Sequence, residues 1–177
     1  MLHRPAHSDL VSAETEPQAS EHPQTQLLGP DQLEACLALD QASLAGLWTQ
    51  EQWQQELSQS DRLCMGLLVD QHLIAVACGW LVVDELQISA VAVAPDQRRQ
   101  GHGRHVLIAL LQEARRRGAA SATLEVSAAN TAATTLYERC GFSTQGIRRG
   151  YYRNGDDALI QWARLQDTEA VRIAAHS

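Results

Sequence analysis

The chain has 177 residues and a formal net charge of −7 at pH 7, a length that suits one domain with enough chain to bury a core. Apolar residues make up 45% and charged residues 20%, which excludes the polar bias of a disordered chain. All 14 basic residues are arginine; an acidic balance of this kind argues against a general nucleic-acid binder and favours a cationic or amine-bearing partner.

Four cysteines stand at 36, 64, 78 and 140, none within metal-finger spacing of another. The first forty residues hold no apolar run of signal-sequence type. Nothing approaches the roughly 18 apolar residues that a membrane-spanning helix needs. The expectation is a cytoplasmic protein with reduced, structural thiols and no membrane partner.

Residues 1–25 are polar, carry three prolines and show no periodicity, so they read as a flexible tail. Residues 166–177 read as a C-terminal tail or a short, loosely docked helix, leaving 26–165 as the domain. After a short start at Gln26–Leu28, Pro30 opens a helical pattern with Leu33, Cys36, Leu37 and Leu44 on one side. Thr49 and Gln52 have capping-box spacing ahead of Trp53 and Leu57, which predicts a second helix. Leu63–Val69 and Leu73–Val83 read as strands around a turn at Asp70–Gln71, with apolar runs that predict burial on both faces. In Leu86–Ala94 the large residues fall at 86 and 88, then at 91 and 93. That change of parity predicts a β-bulge near Ser89–Ala90.

Pro95 ends this strand, Arg98–Arg104 reads as a loop, and a helix follows to Arg117 with Val106, Leu107, Leu110, Leu111 and Ala114 in one stripe. Arg115–Arg117 sit in its last turn, favourable for the helix dipole, and read as a solvated helix end. Ala122–Val126 reads as a strand, Asn130–Cys140 as a helix closed by Gly141, and Phe142–Arg149 as a strand. Asn154–Gly155 is a hairpin turn before a last strand at Asp157–Leu165. This succession predicts an α/β domain with a mixed sheet.

Chemistry concentrates in few places. In Arg98-Arg99-Gln100-Gly101-His102-Gly103-Arg104, between a strand and a helix, two glycines let backbone N–H groups converge where a phosphate would bind. No Gly-Lys-Ser/Thr follows, and position 106 is Val, so neither a P-loop nor a complete GxGxxG is present. Glu125 stands in an otherwise apolar strand, where a solvent-facing side chain is the plain alternative to a catalytic one. Tyr137 reads equally as a core aromatic, and Asn130 as a helix N-cap. His102 and His105 lack an evident third ligand, so no metal site is expected.

Together, Val91-Ala92-Val93, the RxxGxG loop, Leu124-Glu125-Val126, Asn130, Leu136-Tyr137-Glu138 and Gly141-Phe142 resemble the GNAT superfamily of acetyl-CoA-dependent N-acetyltransferases. The resemblance covers about 30–165 and is strongest over 84–160. Adding Arg148-Arg149-Gly150-Tyr151-Tyr152 and Asp156-Asp157-Ala158, the sequence is most similar to the ribosomal-protein-alanine N-acetyltransferase group. The resemblance implies a single domain with a mostly antiparallel central sheet, a bulged strand and flanking helices. It implies acetyl-CoA as co-substrate, contacted by Val91, Ala92, Val93, Arg98, Arg99, Gln100, Gly101, His102, Gly103, Arg104 and Asn130. It assigns Glu125 as general base and Tyr137 as general acid, the latter more able if the site lowers its pKa. Tyr151 and Tyr152 would bind the backbone of an incoming N-terminal peptide of a ribosomal protein. Glu125, Glu138, Asp156 and Asp157 would favour a basic peptide through their field. One departure is Leu47-Trp48, where the group commonly has Pro-Trp; it bears on acceptor identity. Two alternatives stand beside an N-terminal α-amine acceptor: a small-molecule amine or lysine acceptor, and a non-catalytic acetyl-CoA-binding module.

Overall fold

A computed structural model describes residues 22–168, Ala170 and Arg172. The paired strands begin at β1 (Gln24–Leu27), two residues ahead of the expected start, and continue with β2 (Arg62–Val69), β3 (His72–Val82) and β4 (Glu85–Val93) as an antiparallel meander. The turns reflect local chemistry: Asp70 and Gln71 both take positive φ between β2 and β3, the backbone that matches the twist of a hairpin. Helix α1 (Leu33–Leu44) and helix α2 (Gln50–Ser58) precede β2 and cover one face. Helix α3 (His102–Arg116) follows β4 and covers the other. Then come β5 (Ser121–Ser127), α4 (Thr131–Arg139), β6 (Ser143–Arg148) and β7 (Ala158–Arg164). The sheet order is β1-β2-β3-β4-β5-β7-β6, with β4 and β5 the parallel pair. Among the described residues, no helix is long and apolar enough to cross a membrane.

The buried runs on β2 and β3 divide between the two faces by alternation. Leu63, Met65 and Leu67 join Val106, Leu107, Leu110 and Leu111 of α3, while Cys64 and Leu68 join Cys36, Trp53 and Leu57 under α1 and α2. The expected bulge lies at Ser89: Cys78 pairs with Ala90 and Gly79 with Ile88, leaving Ser89 unpaired. Its hydroxyl donates to the Cys78 carbonyl at 3.2 Å. With that extra residue, Leu86, Ile88, Val91 and Val93 all face α3, and Ala90 and Ala92 face α1 and α2.

Thr49 and Gln52 form a complete capping box at α2, with exchanged bonds of 3.2 and 2.9 Å. Asp40, 1% exposed, supports the same turn. Its carboxylate accepts the N–H groups of Leu47 (2.7 Å) and Trp48 (3.0 Å) and the indole N–H of Trp53 (2.8 Å). This gives Leu47 a local rationale, because a proline there has no N–H to give Asp40.

Three expectations change. Helix α3 starts at His102, so Gly103 and Arg104 belong to its first turn and the loop ends at Gly101. The β6–β7 connection spans 149–157 and is longer than a two-residue hairpin; Asn154–Gly155 is only its tip. The core continues past Leu165, into the segment expected as a tail or a short, loosely docked helix. Thr168 and Ala170 are buried, and the Ala170 carbonyl accepts from Gln112 Nε2 at 3.2 Å. Most of the expected N-terminal tail, residues 1–21, lies outside the described residues.

Candidate active site

The parallel ladder between β4 and β5 is short: Glu85, Leu86 and Gln87 pair with Ser121, Ala122 and Thr123, and the register goes no further. Beyond it the strands diverge, so β4 from Ile88 to Val93, including Val91, Ala92 and Val93, leaves its β5-facing edge without a strand partner. A wedge thus opens at the carboxyl ends of two parallel strands, the usual place for a ligand in such sheets.

One wall leads into the start of α3. Arg99 (φ 61°) and Gly101 (φ 80°) are left-handed, the alternation that turns successive N–H groups toward one concavity. The first intrahelical bond shown there runs from His105 N–H to the Gly101 carbonyl at 3.0 Å. The N–H groups of His102 and Gly103 precede that bond and have no acceptor within the helix. No side chain caps this end, and its first turn holds no acidic residue. Its positive potential is left for an anion, as a diphosphate requires. Arg98 turns elsewhere: Nε donates to the Val93 carbonyl at 3.2 Å and Nη2 to the Ser43 carbonyl at 3.4 Å. Arg98 thus braces β4 against the end of α1. His105 is held below its ordinary value, first by burial and then by His102 and Arg104.

The other wall is β5 and what surrounds it. Leu124 and Val126 enter the α3 cluster, so Glu125 faces the opposite side, with its side chain 32% exposed. Arg148 Nε lies 3.1 Å from Glu125 Oε1. The Tyr151 phenol's pKa is pushed up by the nearby Glu125 carboxylate, through hydrogen bonding first and then its charge. The Arg148 guanidinium sits 5.7 Å from the Tyr151 ring centre, and Tyr151 meets Tyr152 edge-on at 5.1 Å. The Tyr152 phenol is raised by burial and by the fields of Glu125 and Tyr151.

Tyr137 projects from α4 into the core, edge-on to Phe142 at 6.1 Å. Burial, then Cys140, then Tyr152 push its pKa up to about 12, opposite to the direction that would help a strong acid. Asn130 caps α4, its Oδ1 accepting the Ala133 N–H at 3.1 Å. The expected acidic field is partly spent within the chain. Asp157 binds Arg149 (2.8 Å) and the Gly150 N–H (2.9 Å), and Asp156 binds Ser127 (3.1 Å) and Asn154.

The structure therefore joins Glu125, Tyr151 and Tyr152 in one cluster, with Tyr137 adjoining through Tyr152. Sequence reasoning passed over Arg148 as a partner of Glu125; strand parity alone places both on one face but not in contact.

Comparison with known proteins agrees with this geometry. The model of the acetyltransferase (GNAT) family matches residues 30–142. The [ribosomal protein bS18]-alanine N-acetyltransferase of Escherichia coli (strain K12) is 38% identical over 132 residues, covering 72% of this chain and 88% of that protein. The crystal structure of the Escherichia coli ribosomal-protein-S18-alanine N-acetyltransferase superposes with a TM-score of 0.76 at 33% identity, covering 81% of this chain and 94% of that one. A Thermoplasma acidophilum PaiA N-acetyltransferase solved with coenzyme A shares the fold, with a TM-score of 0.68 at 16% identity over 81% of this chain and 99% of that one. The chain belongs to the GNAT family of acetyltransferases and is an acetyl-CoA-dependent N-acetyltransferase.

Proposed function

We propose that this enzyme acetylates the N-terminal α-amine of a protein, and that its acceptor is the N-terminal alanine of ribosomal protein bS18. The acceptor follows from the activity named for the Escherichia coli relative. The observation that carries the chemistry is the half-exposed Glu125 carboxylate held against Tyr151 beside the wedge. On the other side of that wedge lies the uncapped, acid-free start of α3.

In this reading the diphosphate of acetyl-CoA lies on the N–H groups of His102 and Gly103, with Arg99, Gln100, Gly101 and Arg104 shaping the turn. The pantetheine runs along the free edge at Val91, Ala92 and Val93, near Asn130. The acceptor arrives as an ammonium ion and must lose a proton before it can attack. An α-amine with pKa near 8 does so more readily at neutral pH than a lysine near 10.4. Glu125 takes that proton, directly or through water, a contribution of about 10²–10⁴-fold. The neutral nitrogen then bonds to the thioester carbonyl carbon, the C–S bond breaks, and the nitrogen's second proton ends on the departing sulfur.

Tyr137 has a narrower part than full proton donation. A phenol near 12 would give its proton to a thiolate near 8.5 against a gradient of roughly 3.5 units. Its hydroxyl stays protonated and donates a hydrogen bond to the sulfur as charge develops there. Tyr151 and Tyr152, at the rim, hold the acceptor backbone.

Mass spectrometry of acetylation tests this on an Ala-started bS18 peptide, the same peptide with its α-amine capped, a lysine peptide and small amines. The first should be acetylated and the capped form should not. A comparable rate on an internal lysine of the capped peptide would overturn the N-terminal reading. Full single-turnover rates in Glu125→Gln would overturn the role given to that carboxylate.

A further inference from the structure

Glu125 is already in contact with a cation of its own chain, and this bears on how amines gain access to it. On β6, Gly146 pairs with Ile160 of β7, which pairs with Glu125 of β5. Arg148 lies one step along the same face, paired with Ala158. Gly146 contributes no side chain to that row and Ala158 ends at Cβ, so a long side chain can lie over β7. The Arg148 Nε reaches Glu125 Oε1 at 3.1 Å. The contact is made through Nε, and the Arg148 side chain is 55% exposed. A half-exposed pair of this kind is weak enough to exchange with another cation.

We propose that Arg148 occupies, in the free enzyme, the place at Glu125 that the acceptor's α-ammonium takes during turnover, so that Arg148 sets which amines gain entry. The proposal rests on the reading of Glu125 as the base. An incoming ammonium displaces the guanidinium, and binding of the correct N-terminus is measured against this internal competitor. A correct peptide has backbone contacts at Tyr151 and Tyr152 to offset the competition, whereas a bare amine has none. Arg148 is thus a specificity-determining residue that acts through Glu125.

The groups facing Glu125 are Arg148 from β6, Tyr151 and Tyr152 from the β6–β7 connection, and uncharged Ile160 and Ala158 from β7; Tyr137 of α4 stands behind Tyr152. Arg148 is the only cation in that set. Arg148→Gln should lower the acceptor KM about 3- to 5-fold, more than kcat changes, and raise relative activity on small amines lacking a peptide backbone. Arg148→Lys, which keeps the charge, should return selectivity toward the wild type. In a Glu125→Gln background the Arg148→Gln effect on peptide affinity, measured by calorimetry, should vanish.

An acceptor KM that is unchanged or raised in Arg148→Gln, with melting temperature preserved, overturns the proposal. So does an Arg148 effect that persists without the Glu125 charge. Either result can occur while Glu125→Gln still lowers the rate, in which case Glu125 keeps its role and only the competition is refuted. A Glu125→Gln variant of full rate instead removes the base itself.

Discussion

Gly103 offers a substitution whose effects on stability and on cofactor binding should have opposite signs. It lies in the first turn of α3 with ordinary helical backbone, since its φ is not among the positive values. A Cβ added there would meet Leu136 Cδ2 and Val93 Cγ2 at 3.5 Å each, which is ordinary contact. Gly103→Ala therefore costs the free protein nothing in packing and gains helix propensity of up to about 1 kcal/mol. At about 2–4 °C per kcal/mol for a chain of this size, the unliganded protein should melt up to about 4 °C higher. If phosphate groups approach the Gly103 N–H closely, the new methyl lies in their way. At a concentration 100 times the wild-type Kd, acetyl-CoA adds about 2.7 kcal/mol of apparent stability. A 30-fold weaker Kd would leave about 0.9 kcal/mol by the same relation. Thermal melts of both proteins with and without acetyl-CoA read both quantities at once. A variant that keeps the full ligand-induced shift would show that the phosphates do not approach α3 at Gly103.

Tyr137→Phe should slow the single-turnover chemical step while leaving acetyl-CoA affinity within a few-fold, as measured by rapid quench and calorimetry. The same variant has a pH signature: the Tyr137 pKa is about 12 in the fold and about 10 unfolded. The contribution of Tyr137 to stability is thus fully present below pH 10 and lost as pH rises through 12, by up to about 3 kcal/mol. Urea melts at pH 8 and 11 should show a smaller alkaline loss in Phe than in wild type. Asp40→Asn keeps the volume but sets an amide N–H₂ among three donors; a loss of about 3 kcal/mol is expected in denaturant melts, and a loss below 1 kcal/mol would count against this account of the turn. Val83 is 96% exposed at φ 57° between β3 and β4, a backbone that a β-branched residue adopts at a cost of about 1–2 kcal/mol. Val83→Gly should therefore raise the melting temperature, and a fall would refute the assignment of strain.

What the sequence disclosed follows the range of each signal. The β2–β3 hairpin and the bulge at Ser89 were legible because apolar parity is a property of neighbouring residues. The α2 capping box was legible because both partners lie within one turn. The triple use of Asp40 was not, since its partners stand 7, 8 and 13 residues away. Thr168 and Ala170 show no periodicity; they are buried because α3 and Gly141 happen to lie there. In the candidate site, Glu125 and Tyr137 were singled out through resemblance, and their surroundings were not. The Arg148 contact depends on strands brought together by the β5-β7-β6 order, and the upward pKa of Tyr137 depends first on burial in the folded core.

The bulge links the core to the chemistry. The last β4–β5 pair is Gln87 with Thr123, and Ser89 bulges two residues later. A bulge bends its strand and adds local twist, so β4 turns from β5 where the wedge begins. The same extra residue returns Val91 and Val93 to the α3 face, which keeps the core intact while the other edge of the strand is released. A regular strand would have had to choose between burying those valines and leaving its ladder. One unpaired serine, tied to the Cys78 carbonyl, permits both. It leaves the β5-facing edge of β4 without a strand partner beyond Gln87 and opens no hole in the apolar cluster beneath it.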